Sequence, residues 1–190
     1  MKEIIGIGAA LLVFVAYAQY FRDILKGATK PHPYSWFIWG LNTVLIFVLQ
    51  ITHGAGAGAY TTATVAVVCF AVCLLGLHKG GRKDIKPVDT IFFVMALIAT
   101  GIWLFARQPT VSMLLLVTID VLAVAPSVRK AWHKPREETL SMWSINGLRH
   151  GLSILALGNY ALLNIASPVS MAAINLGFSV MLIMRRRIRG

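Results

Sequence analysis

Lys30-Pro-His-Pro-Tyr-Ser-Trp-Phe-Ile-Trp-Gly-Leu-Asn42 is a basic, proline-broken loop that runs into an apolar helix opening on tryptophan. About 107 residues later, Lys134-Pro-Arg-Glu-Glu-Thr-Leu-Ser-Met-Trp-Ser-Ile-Asn-Gly-Leu-Arg149 repeats the plan. Trp36 falls on Trp143, Gly40-Leu41 on Gly147-Leu148, and Asn42 on Arg149. The lead-in matches too: Gln19, Arg22 and Lys26 stand beside Ser127, Lys130 and Lys134 after a one-residue shift. An internal repeat constrains the architecture before any single helix is assigned, because each copy is one structural unit of the same kind.

Outward from the repeat, the chain is 57% hydrophobic and only 13% charged, with a mean hydropathy of +0.73. Soluble domains carry about 25% charged residues. Long apolar runs bounded by charges predict membrane-spanning helices. Seven spans are predicted, over residues 4–21, 35–52, 59–77, 88–106, 111–128, 141–158 and 162–184. The first also carries a signal-like Ala16-Tyr-Ala18, but its match to the fifth span predicts that it is retained. Ser35 is the expected cap of the second span. The neutral Gly-Ala stretch from His53 to Gly58 reads as a tight outer turn, since no lysine follows it as a phosphate loop requires.

The net charge of +11 is distributed by topology. Fifteen of the eighteen Lys and Arg residues fall in four clusters, at 22–30, 79–86, 129–136 and 185–189, all on one side of the seven spans. Lys2 and Arg107 lie on the other side, and Arg149 lies within a helix. The positive-inside rule then sets the N-terminus outside and the C-terminus in the cytoplasm, in a cytoplasmic (inner) membrane of bacterial type. A basic excess spent this way speaks against nucleic acid as a partner and for anionic lipid headgroups. Cys69 and Cys73, four apart within one span, predict neither a structural disulfide nor a metal site, and no cofactor is implied.

The expected fold class is therefore an all-α integral membrane protein, seven transmembrane helices in a 3+1+3 arrangement of two parallel three-helix repeats. Residues 1–79 form the first repeat and 110–190 the second. Residues 80–109 supply a basic loop and a linker helix without a partner in the repeat, which restores the orientation of the second half. Both halves reside in one chain, so a homo-oligomer is compatible with the architecture but not needed to build a pore.

Ionisable groups at mid-bilayer are costly, and each is a site hypothesis. Asp120 precedes Arg129 by nine residues and Arg149 follows Ser141 by eight. At about 1.5 Å per residue, both lie roughly 12–14 Å deep and suggest an ion pair. Asn42 and Asn175 reach the same layer, Thr64 and Cys69 bracket it on the third span, and Asn146 shares a span with Arg149. Against the alternative of helix-to-helix glue, this layer predicts a solute site formed by Asp120, Arg149, Asn175, Asn42 and Asn146. Asp120 and His150 are the candidates for proton coupling; His150 reads first as a side-facing residue. Trp36, Trp39 and Trp143 read as interfacial anchors, or alternatively as an inner gate or stacking wall. Glu137-Glu138 is expected in a solvated loop. No catalytic constellation is present in the sequence, and an enzyme is not expected.

This pattern resembles the SWEET/PQ-loop superfamily of small-solute transporters over nearly the whole chain. The resemblance rests on the two parallel halves, the inverting linker, the outside N-terminus and the repeated proline, basic and Ser/Trp signature. It implies that the family's Pro-Gln hinge corresponds to Ala18-Gln19 and Pro126-Ser127, making Gln19 and Pro126 hinge candidates beside the gate candidates Trp36 and Trp143. It implies a binding Asn at Asn175, where the first half has Val68-Cys69. A sugar-stacking Trp has no counterpart at Phe47-Val48 or Leu155. Asp120, Trp143 and Asn146 are also similar to the nicotinamide riboside transporters of this fold. The implied function is alternating access for a small polar metabolite of the sugar, vitamin/nucleoside or amino-acid class. The rival is a non-transporting receptor or scaffold that binds a small ligand or peptide terminus.

Overall fold

The computed structural model of the chain describes residues 1–52 and 59–188, so the turn expected from His53 to Gly58 and the last residue of the basic tail, Arg189, lie outside the described residues. The described residues form seven α-helices: α1 (Lys2–Leu25), α2 (Pro33–Thr52), α3 (Ala59–His78), α4 (Pro87–Phe105), α5 (Pro109–His133), α6 (Leu140–Ala156) and α7 (Leu162–Ile188). Short 3-10 turns at Gly81–Asp84 and Pro135–Glu137 precede α4 and α6. Among the described residues, four helices, α1, α4, α5 and α7, are long and apolar enough to cross a membrane.

Local chemistry explains where the helices start and stop. Proline opens α2, α4 and α5, where its missing N–H costs nothing and its fixed φ already suits a helix. Asp89, in the first turn of α4, accepts a 2.7 Å hydrogen bond from the Lys86 backbone N–H, which satisfies one orphan donor. Gly27 and Gly80, just beyond α1 and α3, adopt φ of +74° and +89°, the left-handed turn that lets the chain leave a helix. At the basic end the helices outrun the predicted spans: α1 reaches Leu25, α5 His133 and α7 Ile188. Hydropathy stops at the first charge, whereas Lys and Arg in a last turn favour the helix through its dipole. Ser35 is not a cap. It lies in the first turn of α2, and its hydroxyl accepts a 2.8 Å bond from Ser127 on α5.

Packing follows a paired scheme. α2 lies on α3 as α6 lies on α7, and α1 lies on α6 as α5 lies on α2. α4 packs on α5 and touches α2, while α5 also meets α7. The repeated glycines sit at equivalent contacts. A Cβ at Gly40 would fall 2.9 Å from the Phe70 ring on α3, and one at Gly147 would fall 2.6 Å from Leu176 on α7. The α2–α3 and α6–α7 contacts thus each close over a residue with no side chain.

The buried core draws on every helix, with Tyr20, Trp36, Ile38, Val72, Ala96, Ile119, Met142 and Leu182 among its members. Much of the outer surface is apolar instead, with Ile91, Ile98 and Phe105 of α4 and Val67 and Leu74 of α3 exposed.

Candidate functional site

A cavity of about 920 Å³ lies within the bundle, inside the range of roughly 300–1,000 Å³ usual for small-molecule sites. Its walls come from α1, α2, α3, α5, α6 and α7. Along α1 they run from Phe21 to Gly6, which is about 22 Å of helix at 1.5 Å per residue. All five residues of the predicted solute site, Asp120, Arg149, Asn175, Asn42 and Asn146, line it. His150 lines it too and is not a side-facing residue.

The expected Asp120–Arg149 ion pair is not formed. Asp120, 7% exposed, accepts a 2.9 Å hydrogen bond from Asn42 Nδ2 across the α2–α5 contact. Arg149 Nε donates to Asn146 Oδ1 at 3.2 Å, one turn back on its own helix, and Nη2 donates to His150 Nε2 at 2.8 Å. Neutral amide and imidazole partners therefore hold each charged group on its own wall. Asn146 in turn donates to Met142 Sδ at 3.1 Å. Asn175 spends its donor on the Met171 carbonyl at 2.8 Å, one turn back on α7. Three buried atoms on cavity-lining residues, Asn42 Oδ1, Trp36 Nε1 and Trp39 Nε1, have no partner, although groups of this kind are costly to leave unsatisfied.

The tryptophans correct another expectation. Trp36 and Trp143 are 3% and 2% exposed and are buried in the core, not anchored at an interface. Trp39 bridges them, with ring centroids 5.3 Å from Trp36 and 5.9 Å from Trp143. Tyr20 and Phe178 extend the row at 5.2 and 4.1 Å. Helices α1, α2, α6 and α7 thereby contribute to one aromatic floor beneath the polar groups. Hydropathy misjudged these rings because they bury one another and pack on Tyr17, Tyr20 and Phe178.

Below the floor, Glu138 is not in a solvated loop. Its carboxylate is buried and pairs with the equally buried Lys130 ammonium at 2.8 Å. Tyr20 Oη and Trp143 Nε1 point their donors at the same carboxylate from 3.5 and 3.4 Å. Lys130 also donates to the Lys30 carbonyl and to that of Glu137. The two copies of the proline loop meet at this point: the Lys30 backbone N–H donates to the Glu137 carbonyl at 3.1 Å, and Lys30 Nζ pairs with Glu137 at 2.7 Å. Sequence reasoning treated these charges as topology markers. The signal it passed over is periodicity, because Asp120, Ala123, Ser127 and Lys130 recur at three- and four-residue steps on the buried face of α5.

A second buried cluster pins α4 to α5. Arg129 binds Asp89 through two bonds of 2.5 and 2.6 Å and donates to the Asp84 carbonyl, while Lys134 pairs with Asp84. His32 Nε2 lies 3.3 Å from Asp89, and both side chains are fully buried. Desolvation pushes the His32 pKa down to about 4 despite the carboxylate. A neutral ring that donates from Nε2 fits that environment.

Of the hinge candidates, Pro126 is buried inside α5, where it removes one backbone donor. Gln19 is half-buried on α1 and does not line the cavity. Cys69 and Cys73 are free and buried. Among the described residues, no group of three or more His, Cys, Asp or Glu side chains could hold a metal ion. In comparisons with known proteins, no family model, curated protein or solved structure matches the chain.

Proposed function

We propose that the chain is a transporter of a small polar metabolite, integral to the cytoplasmic membrane and working by alternating access. The single observation that carries this reading is the cavity itself. It brings Asp120 and Arg149 together within a largely apolar bundle without pairing them, and only neutral protein groups hold them. A structural role would favour closing two opposite charges on each other; a site keeps them available. The exposed apolar faces of α3 and α4 and the four long apolar helices support a lipid setting. The paired helix contacts and the matched glycines support two parallel three-helix repeats, residues 1–79 and 110–190, joined through residues 80–109. The resemblance to the SWEET/PQ-loop superfamily agrees with that plan.

On this reading the basic end faces the cytoplasm. Lys130–Glu138 and the aromatic floor then form a cytoplasmic seal, with the cavity extending outward from it. Solute would enter from outside, and the halves would rock about the central site to part the two proline loops.

The test is counterflow in liposomes with a panel of sugars, nucleosides, amino acids and vitamins. Asp120→Asn is expected to reduce flux of the active solute by tenfold or more while yield and thermal midpoint hold. Equal loss of folding and flux would assign Asp120 to structure. Arg149, held only by neutral partners, also favours a second reading: a receptor that binds a carboxylate terminus without moving it. Peptide binding in the absence of flux would select that reading.

A further inference from the structure

The two charged walls are related by the repeat, and this relation says what kind of solute they fit. Asn42 and Arg149 are equivalent positions on α2 and α6. Asn42 faces Asp120 across the α2–α5 contact, so the equivalent contact for Arg149 is α1–α6. The residue on α1 that corresponds to Asp120, with the 108-residue offset of Gln19 on Ser127, is Leu12, beside cavity-lining Val13. Where one half has an amide against a carboxylate, the other has a guanidinium whose repeat-equivalent partner position on α1 is a leucine, so no carboxylate answers it there. The cavity therefore carries a carboxylate on its α2–α5 side and a guanidinium on α6, at the repeat-equivalent of the position that faces that carboxylate.

Resting on the transporter reading above, we infer that the solute is a small zwitterion. Its cationic group docks at Asp120 and its carboxylate at Arg149, with the remainder against Tyr17 and the Trp39–Trp143 wall. A solute with only a positive charge leaves Arg149 without a counter-charge and is repelled by it. One with only a negative charge meets the converse at Asp120. A neutral polyol hydrogen-bonds to both groups and neutralises neither. A dipolar solute satisfies both charges in one binding event, which matters most where the surroundings are poorest in water. The unpartnered Asn42 Oδ1 next to Asp120 adds an acceptor on the side where an ammonium would bring its several N–H donors.

The experiment uses the full-length protein and reads binding by the intrinsic fluorescence of the cavity tryptophans. The probes are L-phenylalanine, phenethylamine, which lacks the carboxylate, 3-phenylpropionate, which lacks the amine, L-leucine and glucose. At least one amino acid is expected to bind about tenfold or more tightly than either single-charge analogue, since each charge-assisted contact contributes at that level. Asp120→Asn should weaken the amine-bearing probes and spare 3-phenylpropionate. Arg149→Gln should do the reverse. Because each variant is compared with itself across probes, a general loss of folding cannot imitate the split.

A single-charge analogue or glucose binding as tightly as both amino acids, or both variants losing all probes alike, would overturn the inference. Counterflow separates it from the transporter reading. Asp120-dependent exchange of glucose without amino-acid binding leaves transport standing and removes the zwitterion. The split pattern without flux does the opposite, and failure of every probe to bind overturns the zwitterion whatever the flux.

Discussion

His32 shows how one buried ring can make stability depend on pH. It lies in the loop before α2, fully buried against Asp89, and its pKa falls to about 4 because burial outweighs the adjacent carboxylate. A free histidine titrates near 6.5, so between those values the unfolded chain holds a proton that the folded chain refuses. Stability is therefore full above about pH 6.5 and is lost as pH falls toward 4, by up to about 3 kcal/mol from this ring. Unfolding midpoints measured in detergent from pH 7 to 4 should drop, and the drop should shrink in His32→Gln. An unchanged slope in that variant would assign the pH effect elsewhere. At this scale the sequence was legible wherever burial was implied by the run a residue sits in. Asp120 and Arg149 interrupt apolar stretches, which marks them; His32, Lys130 and Glu138 sit among charges that look solvated, and only the fold shows that two loops close over them. The partner of a marked residue was less legible than the residue itself. Depth along a helix follows from counting, but the direction of a long side chain depends on its nearest acceptor, and Asn146 stands one turn from Arg149.

Helices were the most legible elements, because a period of apolar residues bounded by charge is read directly. Their ends were not, since hydropathy and helicity stop for different reasons: lipid compatibility for one, hydrogen-bonding and dipole for the other. The repeat gave more than the spans did. It matches Gly40 to Gly147, and both lie at close helix contacts, α2 on α3 and α6 on α7. Alanine at either position would force its methyl into occupied space, the Phe70 ring in one case and Leu176 in the other. Overpacking of this kind costs about 1–3 kcal/mol. Gly147→Ala is expected to be the worse of the two, because the Leu176 backbone nitrogen lies 3.2 Å from the added carbon and a side-chain rotation cannot clear it. Gly151→Ala serves as the control, as its Cβ would meet nothing within 4 Å. Thermal midpoints ranked Gly151→Ala, Gly40→Ala, Gly147→Ala from highest to lowest would bear this out; a control as damaged as the others would not.

Across the whole molecule, the Lys130–Glu138 pair is tied to the first proline loop beneath the aromatic floor, through the bond from Lys130 to the Lys30 carbonyl and the Tyr20 hydroxyl on Glu138, so a motion that parts the two loops must break those ties. Two effects compete there. Removing one partner leaves the other charge buried and alone, at a cost of about 3–5 kcal/mol, whereas replacing both by apolar residues of similar volume is often neutral or stabilising. Glu138→Leu is therefore expected to destabilise more than the double variant Lys130→Met/Glu138→Leu, although the double change still forfeits the bonds Lys130 makes to two carbonyls. On the transporter reading the double variant is the informative one, because it keeps the fold while weakening the seal. A cysteine placed at cavity-lining Val13, in a Cys69→Ser/Cys73→Ser background, reports which side water reaches. With the seal intact, a membrane-impermeant thiol reagent should label it chiefly from the outer face. With both seal residues replaced, labelling from the cytoplasmic face should rise several-fold as the inward-open population grows, since a shift of about 1.4 kcal/mol between two states changes their ratio tenfold. Labelling that stays one-sided while the protein remains folded would remove the pair from the gate and leave it as a fastening between loops.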